Sequence, residues 1–172
     1  AEDMRELDPY QRSLRTLLSN FPPSLLFLHP IKFSQWVADL DTETTQLLQA
    51  RELLQHTGYR NHVGNLRLEG EHLAFDAVGR DPYLTLPRMS LVPDKPAAMT
   101  IDITSPAPTV LQVFYQAAGS AVFKEELSIR RGLPAGRHVI AIALPQGLSG
   151  HFRLDPGEVE GRYCIHRLAV HQ

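Results

Sequence analysis

Cysteine is almost missing from this 172-residue chain: Cys164 stands alone. A single thiol excludes an internal disulfide and a cysteine-built metal site, but it leaves the compartment open, because secreted proteins can do without disulfides. Cys164 lies in a strand-like alternation with Tyr163, Ile165 and Arg167, where a small buried apolar residue is expected rather than a reactive thiol. Lysine is scarce too. Only Lys32, Lys95 and Lys124 are lysines among 17 basic residues, which face 19 acidic ones for a net charge of −2. So balanced a surface lacks the clustered cations that phosphate backbones and anionic membranes select, and no nucleic-acid partner is expected. Arginine supplies bidentate forks for carboxylates and phosphates, though genomic base composition accounts for its excess more simply.

Long apolar runs are also missing. A membrane-crossing helix needs about 18 consecutive apolar residues, whereas Leu25, Leu26, Phe27 and Leu28 are framed by Pro22, Pro23 and Pro30. Catalytic signatures are equally thin. No G-x-S-x-G elbow is completed around Ser120 or Ser149, and no H-E-x-x-H occurs. The eight histidines are scattered; His166 and His171, five apart on an expected strand, should point to opposite faces. The Gly132-Leu133-Pro134-Ala135-Gly136 segment reads as a turn between strands, not a phosphate loop entering a helix.

What is present divides the chain in two. In the first 60 residues Asp8 and Pro9 can start a helix carrying Leu14, Leu17, Leu18 and Phe21 at helical spacing, stopped by Pro22-Pro23. A second helical pattern covers residues 34–56, with Trp36, Val37, Leu40, Leu47, Leu48, Leu53 and Leu54, Gly58 at its C-cap, and a weak point at residues 42–45. This leader is expected to pack on, or link to, a domain spanning residues 61–172, with Trp36 as a packing anchor.

Beyond Gly58 short alternating runs punctuated by Gly, Pro, Asp and Ser predict strands. They fall near residues 66–68, 73–76, 83–86, 98–104, 109–115, 121–129, 138–144, 151–154 and 162–170, with Glu69-Gly70-Glu71 as a hairpin turn. No helical crossover separates them, so the expected fold is mainly β: an antiparallel two-sheet, jelly-roll-like sandwich with an N-terminal helical segment. The nearly continuous apolar runs at residues 110–115 and 139–144 predict central strands.

Paired carboxylates are the minimum for glycoside hydrolysis, and Asp76, Asp81 and Asp155 are the candidates. Asp81-Pro82 and Asp155-Pro156 are also ordinary turn initiators, and loop oxygens of this kind could hold a structural calcium ion. No other cofactor is expected. Tyr59, Tyr83, Tyr115, Phe123 and Tyr163 are the candidate exposed aromatics on which a sugar ring could stack.

Three stretches carry a family likeness: Phe75 to Pro87, which includes Gly79-Arg80-Asp81-Pro82-Tyr83-Leu84-Thr85-Leu86-Pro87; Leu111-Gln112-Val113-Phe114-Tyr115 with Phe123 downstream; and Phe152 to Ile165, in which Arg153-Leu154-Asp155-Pro156 runs on to Gly161, Tyr163 and Ile165. Together they resemble the carbohydrate-binding-module-like sandwich domains appended to bacterial cell-envelope glycosyltransferases and related polysaccharide-biosynthesis proteins. The resemblance spans roughly residues 65–170 and implies a non-catalytic accessory module that binds glycan or positions a partner envelope-biosynthesis protein. If both motif turns meet at one end of the sandwich, Asp76, Arg80, Asp81, Tyr83, Arg153 and Asp155 form the groove. In the alternative, Arg153 pairs with a turn carboxylate and closes the fold. Two further functional readings stand beside this one: a scaffolding domain that uses the leucine-rich helices, and a carbohydrate-active enzyme that uses the aspartates. The resemblance and the Ala1 start imply an extracytoplasmic, periplasmic location, with a cytoplasmic fragment of a larger protein as the alternative.

Overall fold

A computed structural model describes residues 45–56, 60–95 and 97–172. The expected helix at residues 9–21, the first part of the expected helix at residues 34–56, Tyr59 and Trp36 lie outside the described residues. Eleven strands and one short helix occupy the rest, in the order β1 (Thr45–Leu48), α1 (Ala50–Gln55), β2 (Arg60–Asn61), β3 (Val63–Glu69), β4 (His72–Ala77), β5 (Tyr83–Thr85), β6 (Ala97–Ser105), β7 (Thr109–Ala117), β8 (Ser128–Leu133), β9 (Gly136–Leu144), β10 (Leu148–Asp155) and β11 (Gly161–His171). They form a two-sheet antiparallel sandwich, as the alternation predicts. Sheet A runs β3-β4-β11-β6-β9, with β1 joining beside the second half of β11, and sheet B runs β2-β5-β10-β7-β8.

The alternation decides which side chains meet between the sheets. Met99, Ile101 and Ile103 of β6, Leu111 and Val113 of β7, Ile140 and Ile142 of β9, Phe152 and Leu154 of β10, and Tyr163 and Ile165 of β11 share one core. Tyr163 is completely buried and stacks on Phe75, with ring centroids 5.7 Å apart; such a pair is worth about 0.5–1.5 kcal/mol beyond its buried area. The expectation that Tyr163 is an exposed aromatic is therefore wrong: its position in β11 faces the core, and its hydroxyl is satisfied by the Val159 carbonyl at 2.9 Å.

Several local expectations are corrected by pairing. Residues 45–48 are strand where the leucine spacing predicts helix, because they pair antiparallel with residues 168–171 of β11 and send Leu48 into the core; long-range pairing overrides a weak local preference. Among the described residues of that pattern helix is confined to α1, whose Leu53 is buried. Of residues 121–129 only Ser128 and Ile129 are strand; the preceding loop is held by turns such as Leu127 N–H to the Lys124 carbonyl at 3.0 Å. Strand β7 is flanked on both sides, as its apolar run implies, but β9 lies at the edge of sheet A.

A bulge between Ile165 and Arg167 adds one residue to β11 relative to β6. The parity of the strand flips there, so His166 and His171 point to the same side of the sheet rather than opposite sides. His166 Nε2 lies 2.7 Å from Thr104 Oγ1 and His171 Nε2 lies 2.8 Å from Thr100 Oγ1, both on the outward side of β6.

Candidate functional site

The outer side of sheet B is built from the residues that alternate away from the core: Tyr83 on β5, Arg153 and Asp155 on β10, Val110, Gln112 and Phe114 on β7, and Arg130 on β8. Two loops wall it. One is the 78–82 turn entering β5, and the other spans residues 118–127 between β7 and β8. Together they enclose a cleft of about 620 Å³ lined by Arg80, Asp81, Gln112, Phe123, Arg153 and Asp155 among others.

Arg153 is the hub. Its Nε and Nη2 donate to the two carboxylate oxygens of Asp155 at 2.8 and 2.7 Å, and Nη2 also reaches Asp81 Oδ1 at 3.3 Å. Its guanidinium lies 3.8 Å from the centroid of the Tyr83 ring and 4.6 Å from that of Phe114. Cation–π stacking of this kind fixes the plane of the fork and suits arginine rather than lysine. The expected meeting of the two Asp-Pro turns therefore occurs, and Arg153 closes it by pairing with both carboxylates. Burial raises the pKa of Asp155 to about 6, against the pull of Arg153 in the other direction.

The Arg80–Asp81 turn is positioned by the β2–β3 junction. Asn61 Nδ2 donates to the Asp81 carbonyl at 2.8 Å, and the Asp81 N–H donates to His62 Nδ1 at 3.3 Å. A side chain at residue 79 would lie 2.5 Å from the His62 ring, so Gly79 is required where the turn crosses it. On the opposite wall Gln112 Nε2 donates to Glu125 Oε1 at 3.0 Å and to Ser128 Oγ at 2.8 Å, while Arg130 pairs with Glu125 at 2.6 Å. These hydrogen bonds hold the Glu125 carboxyl below its ordinary pKa, Gln112 contributing most and Arg130 next. They also fix the loop that brings Phe123 to the cleft. At the far end a Cβ on Gly157 would lie 2.3 Å from the Tyr163 hydroxyl, so only glycine lets that loop seat against the core.

Of the six residues expected at the groove, Arg80, Asp81, Arg153 and Asp155 line it and Tyr83 supports it from beneath Arg153. Asp76 is separated from them. It lies on β4 in sheet A and accepts a hydrogen bond from Asn65 at 3.2 Å, because the chain crosses from one sheet to the other between Ala77 and Tyr83. Sequence reasoning missed Gln112, Phe114, Glu125 and Arg130 as cleft residues; a polar Gln112 inside an otherwise apolar run was the available signal. Among the candidate aromatics Phe123 reaches the cleft, whereas Tyr115 packs against the core.

Sheet A carries a smaller hollow of about 340 Å³ that includes Glu69, His72, Thr104, Cys164 and His166. The two imidazoles meet edge to face at 4.6 Å. Cys164 is half-buried there rather than in the core, and burial pushes its thiol pKa up and that of His166 down. Among the described residues no group of three or more His, Cys, Asp or Glu side chains is arranged to hold a metal ion. No described helix is long and apolar enough to cross a membrane.

No family model matches the sequence, and no curated protein matches it. Solved structures do match the fold. A low-affinity xylan-binding module of family CBM86 from Roseburia intestinalis superposes with a TM-score of 0.53 at 10% identity, covering 75% of this chain and 95% of that one. The C-terminal CBM6 module of a marine laminarinase from Zobellia galactanivorans gives 0.51 at 11% identity, covering 75% and 100%. The second N-terminal cellulose-binding domain of a Cellulomonas fimi β-1,4-glucanase gives 0.53 at 10% identity, covering 70% and 90%. At these identities the likeness is one of fold: the described sandwich has the architecture of carbohydrate-binding modules.

Proposed function

We propose that this chain is a non-catalytic glycan-binding module that holds a saccharide in the cleft on the outer side of sheet B. The observation that carries the reading is the cleft's chemistry: fixed donors and acceptors from Arg153, Asp155, Asp81, Gln112 and Glu125, with the apolar ring of Phe123 at its wall. Sugar hydroxyls need paired donors and acceptors, and sugar C–H faces need a flat apolar surface. Most of the charges already neutralise one another in the Arg153–Asp155–Asp81 and Arg130–Glu125 groups. Such a cleft presents hydrogen bonds without a strong field of one sign. The fold shared with the xylan- and cellulose-binding modules supports the same assignment.

Catalysis by the aspartates is a weaker reading. Glycoside hydrolysis places two carboxyl groups on either side of a scissile bond, whereas Asp81 and Asp155 both bond the same guanidinium. The association with bacterial envelope polysaccharide biosynthesis, a partner enzyme of that pathway and an extracytoplasmic location belong to this proposal as well, and rest on the motif resemblance.

Calorimetric titration against xylan, β-glucans and bacterial envelope polysaccharides tests the proposal. Binding to at least one glycan is expected, with affinity reduced tenfold or more by Phe123→Ala. Absence of binding to every glycan at millimolar sugar would overturn it.

A further inference from the structure

Three guanidinium groups line the cleft on sheet B, and two of them are committed within the protein. Arg153 forks onto Asp155 and reaches Asp81, and Arg130 pairs with Glu125. Arg80 is exposed and forms no hydrogen bond or ion pair among the described residues. A free arginine is ordinary on a surface, but the base of this one is held. The Val78 N–H donates to the His62 carbonyl at 2.9 Å, and the Asn61 and His62 side chains bond the Asp81 carbonyl and N–H at 2.8 and 3.3 Å. Pro82, which follows, is buried. The turn is thus pinned on both sides of Arg80, and a cation without a counter-ion stands on a fixed support. Less ordering is then required when a ligand engages it. Among the acids of the lining Glu158 alone has a side chain without a partner, and its N–H donates to Thr109 Oγ1 at 2.8 Å.

We propose that the saccharide held in this cleft carries a carboxylate, as a uronic acid does, and that Arg80 receives it. This rests on the glycan-binding reading of the same cleft and names the substrate class within it. A guanidinium offers two parallel N–H donors that match the two oxygens of a carboxylate. Asp155 fills that fork on Arg153; at Arg80 the ligand supplies the acid. One singly charged group matches one unpaired cation, whereas a phosphate monoester of nearly two charges brings a surplus toward the Asp81, Asp155 and Glu158 carboxylates. Glu158 works in the opposite direction. It is held at the start of β7, while the Arg80 turn enters β5, with β10 between those strands. Its repulsion keeps an acidic substituent on the Arg80 side of the cleft.

Calorimetric titration of the full chain tests this, with oligosaccharides of galacturonate, of mannuronate and of glucuronate-substituted xylose, each beside its carboxyl-reduced form. At least one acidic member is expected to bind about fivefold or more tighter than its reduced form at low salt, the ratio falling as sodium chloride is raised. Arg80→Gln should erase that ratio and Glu158→Gln should raise it. Both residues are exposed, so both variants should keep the parent's thermal midpoint. Equal affinity for acidic and reduced forms, or a preference that survives Arg80→Gln, would overturn the proposal. Binding of neutral glycans alone would also overturn it while leaving the glycan-binding reading standing. If no glycan binds, acidic or neutral, that reading falls and this proposal falls with it.

Discussion

The two sheets turn very different outer sides away from a common core. Sheet B presents long side chains, Arg153, Gln112, Phe114 and Arg130, with loops raised around them into a cleft. Sheet A presents Ala98, Ala141, Ala169 and Thr100, which are short and shielded. Each side also has one bidentate arginine fork: Arg153 on Asp155 at 2.8 and 2.7 Å, and Arg137 on Asp102 at 2.9 and 2.8 Å. Their geometry is the same, but their setting is not. Arg153 is 20% exposed and sandwiched by aromatic rings, whereas Arg137 is 58% exposed. The two sides of one sandwich are thus finished differently: long polar and aromatic side chains walled by loops on sheet B, and short shielded ones at the centre of sheet A.

The largest way to break this comparison is to remove each arginine in turn. Arg153→Ala strands a largely buried Asp155 and loses two ring contacts, so a cost of about 3 kcal/mol in urea unfolding is expected, with loss of glycan binding. Arg137→Ala should cost less, about 1–2 kcal/mol, because its guanidinium is mostly exposed, although it too leaves a buried carboxylate, Asp102, without its partner. Equal losses would mean that burial does not distinguish the two sides. Next in size is an added bulk on sheet A. Ala169→Arg should cost about 1–3 kcal/mol by overpacking a shielded position, while Ala143→Arg, on the same side of sheet A but on its edge strand β9, should change stability by no more than about 0.5 kcal/mol; thermal unfolding of both compares them.

A smaller effect follows from Asp155. Its pKa in the folded protein is about 6, above the ordinary value of 3.8, so the folded state holds the proton more tightly than the unfolded chain. Its contribution to stability is therefore complete below about pH 4 and is lost as the pH rises through about 6. Asp155→Asn should remove that downward step from the urea midpoint measured against pH; an unchanged profile would contradict the assignment. Smallest in stability is Phe123→Ala, a loop substitution expected to cost less than about 1 kcal/mol while still reducing glycan affinity tenfold.

Much of the sandwich is legible in the sequence because period-two alternation reports one buried face directly. The Glu69-Gly70-Glu71 hairpin is an example: Gly70 adopts a φ of 62° between β3 and β4. The two Asp-Pro motifs were readable as turns, and the structure brings them together through Arg153. What pattern could not reveal depends on partners far along the chain. Thr45–Leu48 is a strand only because β11 is beside it, and the bulge that turns His166 and His171 to one side leaves no mark in composition. Asp76 falls away from the site because a short crossing moves the chain between sheets, a step that distance in sequence does not encode. Gln112, Glu125 and Arg130 join the cleft through the pairing of β7 with β8 and the fold of the intervening loop.

The assignment of glycan to the open cleft is tested most directly by mapping a bound oligosaccharide with backbone amide shifts. Using the glycan that binds in calorimetry, the account predicts saturable shifts at Asp81, Gln112, Phe123, Arg153 and Asp155, and none at Ala98, Ala141 or Ala169. Shifts confined to sheet A, or spread evenly over both sides, would contradict it.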